Sequence, residues 1–340
     1  MKAIRYLLFP FAILYDGVTS VRNTLYDIGV LQSKKFKIPV IAVGNLSIGG
    51  TGKTPMIEYL IRLLNKKKLA ILSRGYKRKT KRFILLNSSH GSSDVGDEPL
   101  QFFNKFPAIS IAVDANRVNG IQKLQKILNS EVILLDDAYQ HRKVNAGYYI
   151  LLTRYGDLYT TDYLLPTGNL RESSRGAKRA DLIVVTKCPS KLSHTEQENI
   201  KLKITNNPNQ PVFFSTISYH AKTKGVYEIS LKDLKDYEVC LITGIANPKP
   251  LLEFFQEHEV TIHHLKFPDH HEFTDRELDK IQNRFETISS SKKMVLTTEK
   301  DYVRLADKIT ELCYIEIEFK FLEDAGTFNQ KILNYCNTSS

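Results

Sequence analysis

The chain has few cysteines and no long apolar segment. The four cysteines are far apart, and none has a histidine at metal-ligand spacing (Cys188, Cys240, Cys313, Cys336). This argues against a zinc ribbon and a disulfide framework and favours buried free thiols in a reducing cytosol. No stretch approaches the roughly 20 apolar residues that cross a bilayer. The sequence also lacks internal repeats and low-complexity tracts.

The composition is that of a globular protein with excess positive charge. A chain of 340 residues exceeds the usual size of one core, so two domains are expected. Hydrophobic residues make up 42% and charged residues 25%, unlike a disordered chain. The formal net charge of +11 favours an anionic partner, which could be nucleic acid, a phosphorylated small molecule or a membrane surface.

The N-terminus places basic residues before an apolar run. Lys2 and Arg5 precede residues 6–15, which are uncharged and mostly large, and Asp16 ends the run. This resembles a short signal peptide, but no small-x-small cleavage site follows. A helix lying in the membrane interface fits better, and a helix packed on the protein's own core is the alternative.

Beyond the N-terminus, apolar strand patterns alternate with helical patterns. This alternation predicts an α/β fold in which helices cover both faces of a parallel sheet. The predicted strands of the first set are 37–43, 69–73, 83–86, 109–113, 132–135, 149–153 and 182–186, and its helices include 56–65 and 120–128. A second set comprises strands 239–243, 260–264 and 294–297 and helices 250–258 and 275–288. The polar stretch 190–209 indicates the end of the first domain.

A glycine-rich segment links the first strand to the first helix. It differs from the P-loop pattern G-x-x-x-x-G-K-[ST] only at its first position. The glycines let backbone N–H groups surround phosphate oxygens at a helix N-terminus. We therefore predict a nucleoside triphosphate site with Lys53 at the β- and γ-phosphates and the Thr54 hydroxyl on Mg²⁺. The predicted nucleotide-binding residues are Ser47, Ile48, Gly49, Gly50, Thr51, Gly52, Lys53 and Thr54.

Two carboxylates follow a later apolar strand. Asp136 and Asp137 end the run 131–137 in the manner of a Walker B motif, so both are predicted near Mg²⁺. The nearest match to the guanine-reading pattern [NT]-K-x-D is residues 186–189, with Pro189 in place of the acid. Adenine is therefore the predicted base, and a GTPase switch is disfavoured.

A strongly basic stretch follows the P-loop helix. Residues 62–82 contain ten basic side chains and no acidic one. A solvated face is one interpretation, and nucleic-acid binding is another, although the stretch lacks the interleaved aromatics of a stacking platform. An anionic membrane or a lipid-like, phosphorylated acceptor would explain both this stretch and the apolar N-terminus.

An ordered series of motifs lies at residues 44–55, 73–76, 95–99, 136–141, 170–172, 243–248, 267–271 and 298–301. This series resembles the tetraacyldisaccharide 4'-kinase family, the lipid A kinases of Gram-negative bacteria. The resemblance extends from the first helix to about Leu305.

The resemblance implies transfer of the ATP γ-phosphate to the 4'-hydroxyl of an acylated glucosamine disaccharide 1-phosphate. It implies Mg²⁺ as a cofactor and peripheral association with the cytoplasmic face of the inner membrane, with no nucleic acid and no protein partner inferred. The expected organisation is a membrane-associated helix over 1–30, a P-loop kinase domain over 31–215 and a smaller α/β domain over 216–340. The active site is expected between the two domains. The tail after about residue 311 is assigned no role.

The resemblance also assigns roles to individual residues. Asp97 is the expected base, hydrogen-bonded by His270 across the cleft, with His271 as an alternative partner; Lys53 completes the catalytic set. Glu98 is expected to help position Mg²⁺. Contacts to the substrate are expected from Asp16, Asn45, Arg74, Tyr76, Arg171 and Glu172. A competing class is a P-loop ATPase that acts as a switch or handles nucleic acid; it would need neither residues 171–172 nor an apolar N-terminal helix.

Overall fold

The computed structural model describes residues 5–205 and 207–338. The chain divides into two compact units. The larger unit contains the described residues up to Ser89, the segment Phe102–Ile217 and the described residues from Phe319 onward. The smaller unit contains His90–Gln101 and Ser218–Glu318.

A nine-stranded sheet forms the core of the larger unit. Its strands are β2 (Val40–Asn45), β3 (Leu69–Ser73), β4 (Ile84–Leu85), β5 (Ser110–Val113), β6 (Val132–Asp136), β8 (Tyr148–Arg154), β9 (Leu182–Thr186), β10 (Val212–Tyr219) and β16 (Ile317–Phe321). Their spatial order is β16-β10-β9-β8-β2-β6-β3-β5-β4. The strands from β10 to β5 pair in parallel, and β4 is an antiparallel edge strand. The short strands β1 (Lys34–Lys35) and β7 (Val144–Asn145) form a separate parallel pair.

Helices cover this sheet because β2 is apolar on both faces. Val40 and Ala42 pack with Ile121 and Leu124 of a helix on one side. The P-loop helix packs against β2 and β6. The helices of the larger unit are α1 (Phe9–Asp27), α2 (Lys53–Leu63), α5 (Arg117–Leu128), α6 (His194–Ile204) and α10 (Ala325–Thr338). A 3-10 helix spans Ser174–Arg179.

The smaller unit is built on a five-stranded sheet. Its strands are β11 (Lys224–Gly225), β12 (Glu238–Thr243), β13 (Thr261–Lys266), β14 (Lys293–Thr298) and β15 (Leu312–Ile315). Their spatial order is β11-β15-β14-β12-β13. The strands from β15 to β13 pair in parallel, and β11 is antiparallel. Its helices are α3 (Ser92–Val95), α7 (Lys249–Glu257), α8 (Asp275–Glu286) and α9 (Glu299–Leu305), together with a 3-10 turn at Leu234–Asp236. Helix α4 (Asp97–Lys105) begins in this unit.

The predicted α/β fold with parallel sheets is confirmed, and strands 69–73 and 182–186 have the predicted bounds. The compact units nevertheless differ from the predicted division at 215–216. His90–Gln101 belongs to the smaller unit, and the chain from Phe319 onward belongs to the larger one. The physical reason for the second difference is a buried stripe on α10, where Phe328, Ile332 and Cys336 recur at helical spacing.

One structural finding concerns helices that could cross a membrane. Across residues 5–205 and 207–338, no helix combines the length and the apolar character needed to cross a bilayer.

The tail helix α10 is predicted to stabilise the larger unit. Phe328 is fully buried, and its ring packs against those of Tyr59, Phe213 and Phe321. Replacing it with alanine should lower the free energy of unfolding by about 3–5 kcal/mol, because the substitution leaves a cavity in a closely packed cluster. Denaturant unfolding measures this. The exposed Lys331→Ala on the same helix should change stability by less than about 0.5 kcal/mol. Equal stability of the two variants would contradict this assignment of the tail.

Candidate active site

The P-loop adopts the conformation that its glycines allow. It leaves β2 at Asn45 and enters α2 at Lys53. Gly49 and Gly52 have φ angles of 111° and 85°, in the left-handed region where a side chain is strained. The N-terminus of α2 therefore opens onto the loop, so its N–H groups and positive dipole end suit a phosphate.

Asn45 organises the loop from within. Its side-chain nitrogen donates to the Ser47 carbonyl oxygen at 2.7 Å and to the Thr51 hydroxyl at 2.8 Å. Lys53 Nζ donates to the Asn45 side-chain oxygen at 3.4 Å. The Thr186 hydroxyl, at the end of β9, donates to the Thr51 carbonyl oxygen at 2.8 Å. Asn45 is fully buried and shapes the phosphate loop, and its predicted contact with the substrate stays a prediction.

The two predicted Walker B acids have different surroundings. Asp136 is buried and accepts a hydrogen bond from the Ser73 hydroxyl at 3.0 Å. Asp137 has a φ of 48° and a partly exposed side chain. It lies 3.5 Å from Lys53 Nζ and accepts from Arg171 Nη1 at 3.0 Å. Burial raises the pKa of Asp137, but the two cations outweigh it and hold that pKa below its usual value.

Arg171 is brought to this site by backbone pairing. Its N–H donates to the Leu46 carbonyl oxygen at 2.7 Å, and Ile48 N–H donates to the Asn169 carbonyl oxygen at the same distance. An isolated antiparallel bridge joins Ser47 to Leu170. The segment predicted to contact the sugar is thus attached to the phosphate loop.

The buried Glu172 side chain accepts hydrogen bonds from three residues, one of which lies on the N-terminal helix α1. Its side chain accepts from Asn23 of α1 at 2.8 Å, from Arg179 at 2.8 Å and from Gln140 at 3.0 Å. Only 3% of the residue is exposed. The predicted contact of Glu172 with the substrate stays a prediction. The Tyr15 hydroxyl of α1 also donates to the Arg171 carbonyl oxygen, at 2.9 Å, so α1 is tied to the same segment.

The other predicted substrate residues are accessible. Arg74 and Tyr76 are exposed just beyond the end of β3, the strand that pairs with β6. The carboxyl ends of these parallel strands share one edge of the sheet, where Asp136 also lies. Asp16 lies on α1, where Arg175 approaches its carboxylate at 3.4 Å.

In the smaller unit, the structure pairs Asp97 with His270. His270 Nδ1 lies 2.6 Å from Asp97 Oδ2. The predicted hydrogen bond is confirmed, and it forms within one compact unit because the segment carrying Asp97 belongs there. His271 instead contacts Glu277 at 2.9 Å. Burial raises the pKa of Asp97, but hydrogen bonds from His270 and Arg304 and the charge of Arg304 depress it far below its usual range.

The predicted magnesium ligands are oxygen donors. Thr54 lies in the first turn of α2, and Asp136 and Asp137 lie at the end of β6. Hydroxyl and carboxylate oxygens are ligands that Mg²⁺ prefers, and it usually completes its shell with water and phosphate oxygens. Glu98, the fourth predicted ligand, begins α4 in the smaller unit. In the described part of the chain, no cluster of three or more His, Cys, Asp or Glu side chains could hold a metal.

Sequence reasoning missed two arginines. Arg304 donates a hydrogen bond to Asp97, which lies 207 positions earlier in the chain. The one signal in the sequence is that Arg304 follows Lys300 by four residues, a spacing that puts both cations on the same face of a helix. Arg117 is 2% exposed and donates to the carbonyl oxygens of Asp114 at 2.6 Å and Asp136 at 3.1 Å. Burial and then the charge of Arg117 lower the pKa of the neighbouring His141 to about 4.

Comparisons with known proteins show the family to which the chain is related. A family model described as tetraacyldisaccharide-1-P 4'-kinase matches residues 4–337. The chain is 52% identical to the tetraacyldisaccharide 4'-kinase of Flavobacterium johnsoniae, with 98% of each chain covered. It is 41% identical to the enzyme of that name from Bacteroides thetaiotaomicron, covering 96% of this chain and 92% of the relative.

A solved structure supports the same relationship. The crystal structure of LpxK from Aquifex aeolicus in complex with ATP superimposes with a TM-score of 0.80 at 30% sequence identity. The match covers 98% of this chain and 99% of that one. Sequence and structure together show that the chain belongs to the tetraacyldisaccharide-1-P 4'-kinase family.

Proposed function

We propose that the protein transfers the γ-phosphate of ATP to the 4'-hydroxyl of a tetraacylated glucosamine disaccharide 1-phosphate. Its family model is described as tetraacyldisaccharide-1-P 4'-kinase, and its relatives are named tetraacyldisaccharide 4'-kinase. The main support is that Asp137 forms ion pairs with both Lys53 and Arg171 at the P-loop, in a chain that belongs to this family. Family membership favours this kinase activity over a P-loop ATPase that acts as a switch or handles nucleic acid.

The P-loop supplies electrostatic stabilisation. Lys53, Asp137 and Arg171 together carry a net positive charge, and the α2 N-terminus adds its dipole. A polyphosphate is therefore attracted to this edge of the sheet. Thr54, Asp136 and Asp137 would hold Mg²⁺, which neutralises phosphate charge when bound. Glu98 is proposed as a further ligand on the basis of the family resemblance alone.

Asp97 is proposed to receive the proton of the attacking hydroxyl. The sugar oxygen forms the new O–P bond, the bond to the β–γ bridging oxygen breaks, and ADP leaves. The depressed pKa keeps Asp97 ionised at neutral pH, so it can accept a hydrogen bond from the hydroxyl. Phosphoryl transfer passes through a loose transition state, so orienting the hydroxyl matters more than strong basicity.

Helix α1 is proposed as the membrane contact. Phe11, Leu14 and Val18 form a stripe at helical spacing and are 61%, 68% and 61% exposed, while Ala12 is the buried residue of this helix. Side chains of this kind insert into the interface between headgroups and acyl chains, and nearby lysines and arginines attract anionic lipid. This supports peripheral binding to a membrane, and the cytoplasmic face of the inner membrane is proposed from the family resemblance alone. Asp16, Arg74, Tyr76 and Arg171 would then meet the headgroup of the lipid substrate.

Removing the Lys53 ammonium should reduce transfer on the order of 100- to 1,000-fold, because this charge meets the phosphates rather than the core. The measurement is transfer of labelled phosphate by Lys53→Ala, with a thermal melt to verify folding. The exposed Lys66→Ala is the control and should retain activity. Wild-type turnover by folded Lys53→Ala would remove the P-loop assignment.

Asp97→Ala and His270→Ala should each lower kcat by roughly 100-fold or more, with a much smaller change in KM. Their combined loss should be far smaller than the product of the single losses, because the two residues act as a unit. His271→Ala, whose side chain contacts Glu277 instead, is the matched control and should show a small effect. Multiplicative losses would rule out the pair.

Charges placed on the α1 stripe should release the protein from membranes. Each apolar side chain contributes about 1.5–3 kcal/mol when fully buried, so Phe11→Asp with Leu14→Asp should shift the chain from vesicle-bound to free in a flotation assay. Leu202→Asp, at a residue 74% exposed on α6, is the matched control and should leave binding unchanged. High salt should also weaken wild-type binding. Binding that resists both the charges and the salt would contradict an interfacial helix.

A further inference from the structure

Helix α9 carries two cationic side chains, one helical turn apart, that contact the Asp97–His270 pair. Lys300 and Arg304 stand at positions i and i+4 and therefore share one face of the helix. The helix begins at a capped end, where the Thr298 hydroxyl accepts from the Asp301 N–H at 3.2 Å. Both cations are thus presented from a short, fixed element.

Arg304 holds the carboxylate in one orientation. Its Nε donates to Asp97 Oδ1 at 2.9 Å, and its Nη2 donates to Oδ2. A third donor, Nη1, reaches the His271 carbonyl oxygen at 3.1 Å. The side chain is only 6% exposed. A guanidinium that donates to both oxygens of a carboxylate fixes its plane as well as its position.

Lys300 determines how the His270 ring is presented. Its Nζ lies 3.0 Å from His270 Nε2 and 2.9 Å from Asp269 Oδ1. An ammonium group has donors and no acceptor, so Nε2 must accept. Nδ1 lies 2.6 Å from Asp97 Oδ2 and 3.1 Å from Arg304 Nη2. Because a carboxylate only accepts, the shorter contact to Asp97 places the proton of the neutral ring on Nδ1.

The same helix also holds the backbone of His270 in place, through Gly244. The buried Asp301 accepts from Gly244 N–H at 2.8 Å, and the Gly244 carbonyl oxygen accepts from His270 N–H at 3.2 Å. His270 has a φ of 58°, an uncommon value that such contacts maintain. Helix α9 consequently reaches the pair at its carboxylate, its ring and its backbone.

We propose that Lys300 and Arg304 are positioning residues for the phosphoryl-transfer reaction. Arg304 orients Asp97 toward the attacking hydroxyl, and Lys300 holds His270 as the Nδ1–H tautomer that hydrogen-bonds Asp97. The inference rests on the proposed role of Asp97 as the acceptor of the hydroxyl proton. Neither cation needs to contact ATP or the sugar for this role.

The kinetic test compares Arg304→Ala, Arg304→Lys and Lys300→Met in the full-length protein. A misplaced reacting group can cost about 100-fold, so kcat should fall by about 10- to 100-fold with KM for ATP within about twofold. Arg304→Lys should recover only part of kcat, because an ammonium cannot donate to both carboxylate oxygens in the same plane. Millimolar guanidinium should partly restore Arg304→Ala and should not restore Asp97→Ala.

The chain offers a matched control of the same chemistry. Arg284 Nη2 lies 2.8 Å from His263 Nδ1, and His263 Nε2 lies 2.7 Å from Glu238. Arg284→Ala therefore removes a guanidinium from another acid–histidine–arginine network of the smaller unit. It should retain kcat and show no response to guanidinium.

A spectroscopic test examines the tautomer directly. The ¹⁵N spectrum of histidine-labelled protein, assigned with His270→Ala, should show the Nδ1–H form in the wild type at a pH where the ring is neutral. In Lys300→Met it should show a mixture of tautomers. An unchanged tautomer in that variant would overturn the assigned role of Lys300.

The outcomes separate the inference from the proposed function. Wild-type kcat in Arg304→Ala and Lys300→Met, with Asp97→Ala inactive, would overturn the positioning roles and leave the kinase mechanism intact. Wild-type kcat in Asp97→Ala would instead overturn the mechanism. Should Arg304→Ala fail to fold, Arg304→Lys decides the question for this residue: reduced kcat supports the role, and wild-type kcat overturns it.

Discussion

The phosphate site depends on the ion pairs that Asp137 forms with Lys53 and with Arg171. Lys53 comes from the start of the P-loop helix and Asp137 from the end of a central strand. Arg171 lies on a segment hydrogen-bonded to the phosphate loop. The ion pairs therefore join three elements of the larger unit at one edge of its sheet, and they keep two cations where a polyphosphate needs them. The same segment is bonded to α1, so the apolar helix and the phosphate loop are fixed relative to each other.

In the smaller unit, the Asp97 carboxylate has a similar environment. Asp97 accepts from Arg304 and His270 and, like Asp137, has a pKa held below its usual value. In each case, contacts with positively charged or donating groups outweigh the cost of burial. The two carboxylates differ in their proposed work. Asp137 stands with the cations that meet phosphate charge, whereas Asp97 is oriented to meet a hydroxyl group.

Local patterns predicted the elements that carry the phosphate site. The alternation of apolar strands and helices located β3 and β9 within their observed bounds, and the glycine spacing located the P-loop. The choice of Asp97 and His270 came from the family resemblance, since no local pattern joins residues 173 positions apart. The burial of Asn45 and Glu172 was not predictable, because it depends on which neighbours the fold brings to them. The return of the tail to the larger unit likewise depends on an apolar surface that only the folded sheet provides.

The proposed function requires that the phosphate leave ATP for a sugar hydroxyl. The direct measurement is incubation of the full-length protein with γ-labelled ATP, Mg²⁺ and a tetraacyldisaccharide 1-phosphate, followed by ³¹P NMR of the lipid product. We expect one new phosphate monoester at the 4' position and one ADP for each lipid phosphorylated. Release of labelled inorganic phosphate at the same rate with or without the lipid, and no new monoester, would contradict it.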